Sequence, residues 1–200
     1  MRASEKTRRL TGLALFTAII VLLTVFCTFV KFGPFNITLA MVPIVVGAAI
    51  YGPAAGACLG GVFGVVVFLT CVAGADPGGA ILFTARPFVT AAVCIAKGAL
   101  AGLAAGAVYA AVSKKSELGA VILAAVVSPV VNTGVFILGL AVFYPETLTA
   151  WAGGSSVVYY VITGLVGLNF LMELAVDVVL IPVVDRILAA AGVVRQQRTA

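Results

Sequence analysis

The sequence predicts an all-α integral membrane protein of six transmembrane helices, and three observations carry the prediction. Of 200 residues, 63% are hydrophobic and only 10% are charged, with a mean hydropathy of +1.25. A soluble domain of this length cannot hide so much apolar surface, since about half of an ordinary domain is polar. The apolar runs are also continuous rather than alternating, which favours helices over a β-barrel. Finally, the net charge of +5 comes from basic residues that stand mainly at the ends of the runs. That placement orients spans in a membrane and does not suit a nucleic-acid surface.

A helix needs about 20 apolar residues to cross the hydrocarbon core. The first is expected over about Leu10 to Val30, after the basic head "MRASEKTRRL". No A-x-A-like cleavage site follows a short apolar core there, so this segment reads as a retained helix and not as a signal peptide. A short second helix, about Ile37 to Tyr51, contains Pro43, and a third runs from Pro53 to Val72. The fourth is expected over Pro87 to Val112, the fifth over Leu118 to Phe143 with Pro129 inside it, and the sixth over Val157 to Ala189. Together they make one domain over residues 1–200, with tails at about 1–9 and 190–200.

Charge sets the orientation. Arg2, Lys6, Arg8 and Arg9 precede the first helix; Lys114 and Lys115 lie between the fourth and fifth; Arg186, Arg195 and Arg198 end or follow the sixth. Six spans place all three groups on one side, which the positive-inside rule makes the cytoplasm, with both termini. Five or seven would put one group outside. Loops 31–36, 73–86 and 144–156 then face outward.

Small residues form a second pattern. Gly52, Gly56, Gly60 and Gly64 recur every four residues, and Gly98, Gly102 and Gly106 repeat the device. Such a ridge lets another helix approach closely, so these two helices are expected to pack together. The chain contains no histidine, which excludes histidine acid/base catalysis and His-ligated metal centres. Cys27, Cys58, Cys71 and Cys94 stand far apart without CxxC spacing and read as small packing residues. No cofactor is implied.

Ionisable groups within a membrane usually face a cavity or a partner. Arg86 is expected at the outer mouth of the fourth helix, and Lys97 follows eleven residues deeper. At about 100° per residue the two would point nearly the same way. In "LNFLMELAVD", Asn169, Glu173 and Asp177 share four-residue spacing, and "SPVVNTG" supplies Asn132 and Thr133 just after Pro129. Three helices thus carry polar groups at similar depth in the outer half. Two readings stay open for each cation: Lys97 pairs with Glu173 or Asp177, or meets a ligand; Arg86 snorkels to phosphate head groups, or offers its planar fork to a carboxylate. Pro87, fit for a first helical turn, adds the helix dipole to the second reading of Arg86.

The stretch "NITLAMVPIVVGAAIYGPAAGACLGGVFGVV", with "ALFTA" in the first helix and "VVNTGVFILGL" in the fifth, resembles the substrate-binding S component of energy-coupling factor (ECF) vitamin transporters. The resemblance covers nearly the whole chain and looks most like the pantothenate branch. It implies a bacterial plasma-membrane receptor that captures a vitamin from outside. It also implies delivery through a transmembrane coupling subunit carrying two cytoplasmic ATPases, so this chain would be no enzyme itself. By the same resemblance, Ala14 and Ala18 dock the coupling subunit, and the Lys31–Asn36 loop gates a pocket built by helices four to six. Arg86, Lys97, Asn132, Thr133, Asn169, Glu173 and Asn36 are the expected ligand-facing residues. Pantothenate is favoured because it needs one carboxylate partner plus hydroxyl and amide contacts; biotin, folate and riboflavin remain alternatives.

Two other classes fit less well. An intramembrane protease would need a nucleophile–base pair or two facing aspartates. Ser128 has no histidine, and Asp177 has no second aspartate in a G-x-G-D motif. An autonomous carrier or channel would be favoured by inverted repeats, and no convincing one is visible. The chain has no Walker A sequence with which to power transport.

Overall fold

The computed structural model describes residues 2–29, 31–32, 35–36 and 39–190. Three expected site residues, Asn36, Asn169 and Glu173, have backbones within these segments but side chains outside the described part. Arg195 and Arg198 lie outside the described residues altogether.

Helix α1 (Arg2–Phe29) leads to a two-residue antiparallel pair, β1 (Lys31–Phe32) and β2 (Phe35–Asn36). Then come α2 (Met41–Tyr51), α3 (Pro53–Val72), α4 (Pro77–Ala85), α5 (Pro87–Val112), α6 (Glu117–Phe143) and α7 (Pro145–Ala152). Four of these helices, α3, α4, α5 and α7, begin on a proline. Proline is suited to that position because its missing N–H would have had no intrahelical acceptor. Ser116 caps α6, its hydroxyl accepting from Gly119 N at 3.1 Å. Among the described residues, four helices are long and apolar enough to cross a membrane: Lys6–Thr28, Pro53–Val72, Pro87–Val112 and Glu117–Phe143. Helix α2 is shorter, at 11 residues.

The core is organised around α5. On one side it packs against α3 in antiparallel register, where Gly56 faces Gly102, Gly60 faces Gly98 and Gly64 faces Cys94. A Cβ on any of these glycines would collide with the opposite main chain, so only glycine permits the approach. On the other side α5 packs against α6, with Val93 against Gly139 and Lys97 against Phe136. Helix α1 is the least buried of the four long helices. Its exposed leucines and phenylalanine (Leu15, Leu22 and Phe26) are what a bilayer would cover.

Three basic groups gather at one end of this bundle. Arg9 donates to the Tyr51 carbonyl at 3.1 Å, and Pro53 lies against Gly106. Tyr109, Ala120 and Val184 share one apolar cluster, which brings Lys114, Lys115 and Arg186 to the same end.

Two expectations need correction. The segment from 73 to 86 is not simply a loop, because α4 occupies most of it; α7 likewise fills much of 144–156. Both are short helices opened by proline; α4 is apolar, whereas α7 carries Glu146, Thr147 and Thr149 and buries Leu148 and Ala152. Nor is the C-terminal segment one helix from Val157 to Ala189. It divides into α8 (Val157–Tyr160), a π-helical stretch (Val161–Phe170), α9 (Leu171–Val179) and α10 (Ile181–Ala190). The i→i+5 winding of a π-helix changes the register before α9. Pro182 lacks the N–H that would continue the ladder across the break at Leu180.

Candidate functional site

Arg86 lies between two helices and belongs to neither. Its backbone angles are φ −150° and ψ 84°, so α5 starts one residue later, at Pro87. The eleven-step count from Arg86 to Lys97 therefore loses its first step, and the single basic stripe expected from the sequence does not follow. The Arg86 side chain is exposed. Its main chain is firmly held: the Arg86 carbonyl accepts from Thr90 Oγ1 at 2.9 Å and from Tyr144 OH at 3.0 Å. The two hydroxyls lie 2.8 Å apart, and both residues are buried. This cluster ties the start of α5 to the end of α6.

Lys97 sits ten residues into α5, which at 1.5 Å per residue is about 15 Å below its start. It is half-buried, and its Nζ lies 4.9 Å from the centre of the Phe136 ring on α6. A cation over an aromatic face is attracted by the ring quadrupole, with more effect where water is thin. Phe136 belongs at its upper edge to an apolar cluster of Leu82, Leu140, Tyr144 and Leu148, joined by Trp151 and Tyr160. Helices α4 and α7 thus roof the α5–α6 seam.

Four residues before Phe136 stands Asn132, on the same face of α6. It is 7% exposed, and its Oδ1 has no hydrogen-bond partner among the described residues. Four residues earlier again, Ser128 donates to Met41 Sδ at 3.4 Å, tying α6 to the start of α2. Thr133 is half-buried beside Asn132. The structure therefore sets Lys97 level with Phe136, with Asn132 one helical turn deeper on the same face of α6. Arg86 stands above them at the outer rim.

The remaining expected residues are placed as follows. Asp177 is 2% exposed in α9, where Glu173 precedes it by one α-helical turn. Asn169 falls in the π-helical stretch, so the 100° reckoning applies only from Glu173 to Asp177. Asn36 pairs with Lys31 in the short β ladder. Ala14 and Ala18 are both exposed on α1. Among the described residues, no group of three His, Cys, Asp or Glu side chains could hold a metal.

Phe136, Thr90 and Tyr144 were not legible as site residues in the sequence. The four-residue spacing from Asn132 to Phe136 was the one available signal.

A family model for the ECF transporter substrate-specific component matches residues 8–184. No curated protein matches the chain. The chain belongs to the ECF transporter substrate-specific component family.

Proposed function

We propose, with that membership as the premise, that this chain is the vitamin-binding receptor of an ECF importer and that its vitamin is pantothenate. The family implies a multi-pass membrane subunit that binds a small molecule and works with an ECF module of membrane and ATPase subunits. Substrate binding, and not catalysis, is therefore the role of this chain.

In this reading the chain crosses the bacterial plasma membrane six times, the broken C-terminal segment supplying the last crossing. The end that collects Arg9, Lys114, Lys115 and Arg186 faces the cytoplasm by the positive-inside rule. The opposite end, where α4 and α7 roof the α5–α6 seam, faces outward. The observation that carries the reading is Lys97 over Phe136, with the buried Asn132 one turn away on the same face of α6 and Arg86 at the rim. A cation and an amide set in apolar surroundings suit an acid that also carries amide and hydroxyl groups. Thr133, Asn169, Glu173 and Asn36 complete the proposed ligand surface, and exposed Ala14 and Ala18 dock the coupling subunit.

Calorimetric titration of the purified chain against pantothenate, biotin, riboflavin, folate and thiamine tests this. Tight binding of pantothenate alone is expected. Tight binding of another vitamin would keep the receptor and replace its substrate. Absence of binding across the panel, together with uptake by the lone protein in liposomes, would replace the receptor with an autonomous carrier.

A further inference from the structure

We propose that the ligand's anionic group rests on Lys97 and not on Arg86, and that the Asn132 amide oxygen receives an N–H or O–H of the same ligand. This rests on the receptor reading above and assigns its polar contacts.

The two cations differ in what surrounds them. Arg86 is exposed at a helix junction, where water and head groups screen its charge. Thr90 and Tyr144 fix its carbonyl and leave the guanidinium unconstrained by any described contact. Lys97 lies deeper, half-buried, with an aromatic face as its described contact. An ammonium carries three N–H donors, and a ring beneath it leaves donors for another group. In apolar surroundings the same charge acts more strongly on an anion than it does at the rim.

Asn132 is the second, independent observation. Its side chain is more than nine-tenths buried, and Oδ1 finds no donor among the described residues. Buried acceptors are ordinarily satisfied, so one that is not calls for an explanation. Asn132 and Phe136 are four residues apart on one face, hence about 6 Å along the helix axis. A ligand whose carboxylate meets the ammonium above Phe136 can therefore reach Oδ1 with a donor only a few bonds from that carboxylate. A short acid with a nearby amide N–H meets this condition. Pantothenate, with two methylenes between carboxylate and amide nitrogen, does so. Biotin, with its ring N–H groups at the far end of a longer chain, does not. Arg86 in this arrangement attracts the acid and does not hold it.

The test uses the full chain in lipid nanodiscs, with pantothenate and its neutral alcohol, panthenol, as probes. Wild type is expected to prefer the acid. Lys97→Met should weaken pantothenate binding about 10- to 100-fold and abolish that preference. Arg86→Met should keep the preference and slow association mainly at low salt. Asn132→Leu should weaken both probes, and its ligand-free melting temperature should rise by about 2–4 °C, because an unpaired buried oxygen is removed. The proposal is overturned if Lys97→Met retains the preference or no longer folds, if Arg86→Met abolishes the preference, or if Asn132→Leu melts lower than wild type. A wild type that binds neither probe sinks the pantothenate reading separately. Ligand-free melting of Asn132→Leu then decides the inference: a rise supports a waiting buried acceptor, and a fall contradicts it.

Discussion

Helix α5 has two seams, and they are built from opposite materials. Towards α3 it presents Gly98 and Gly102, which meet Gly60 and Gly56 main chain to main chain. Towards α6 it presents Thr90, Val93 and Lys97, which meet Tyr144, Gly139 and Phe136. The first seam has no space between its backbones and needs no polar side chain to hold it. The second is spaced by side chains, and its polar atoms include an amide oxygen without a partner. One helix can thus be anchored on one face and receptive on the other. In the proposed binding mode the anchored face keeps α5 still while the other face meets the ligand.

Substitutions can break this contrast. Gly60→Leu should have the largest effect, because its first added carbon meets the Gly98 carbonyl. A loss of more than about 3 kcal/mol is expected, read as aggregation or as a missing folded peak on size exclusion. Tyr144→Phe keeps the ring in its cluster and removes the hydroxyl from Thr90 and the Arg86 carbonyl. It should cost about 1–2 kcal/mol in thermal unfolding. Ser128→Ala, which removes a bond to a weak sulfur acceptor, should cost less than about 1 kcal/mol by the same measurement. Gly61→Ala sharpens the comparison from the other side. Nothing lies within 4 Å of a Cβ built there, so it should be neutral or up to about 1 kcal/mol stabilising. Equal damage from Gly60→Ala and Gly61→Ala would contradict a close-packed α3–α5 seam.

The long helices were legible because their limits are chemical. Pro53 and Pro87 open α3 and α5 at the expected residues, and the glycine spacing foretold that these two helices meet. The short helices α4 and α7 were missed because nine and eight residues are too few to register as spans. Their opening prolines were the available sign. The C-terminal break was missed because apolar composition is the same in α and π winding. Lys97 and Asn132 could be chosen from polarity alone, since each stands in an apolar run. The contact of Lys97 with Phe136, one turn from Asn132, could not, because it depends on how α5 and α6 rotate against each other. The angular count from Arg86 to Lys97 failed for a local reason: a proline at the first helical position leaves the preceding residue outside the helix.

In the proposed binding mode, ligand enters the α5–α6 seam and leaves the α3–α5 seam untouched. Hydrogen exchange followed by mass spectrometry, with and without saturating pantothenate, tests it most directly. New protection is expected in residues 86–100 and 130–144, where the two helices face each other beneath α4 and α7. Peptides from 53–66, already closed by glycine packing, should not change. Protection confined to 53–66 or to α1, with the α5–α6 peptides unaltered at full occupancy, would contradict it.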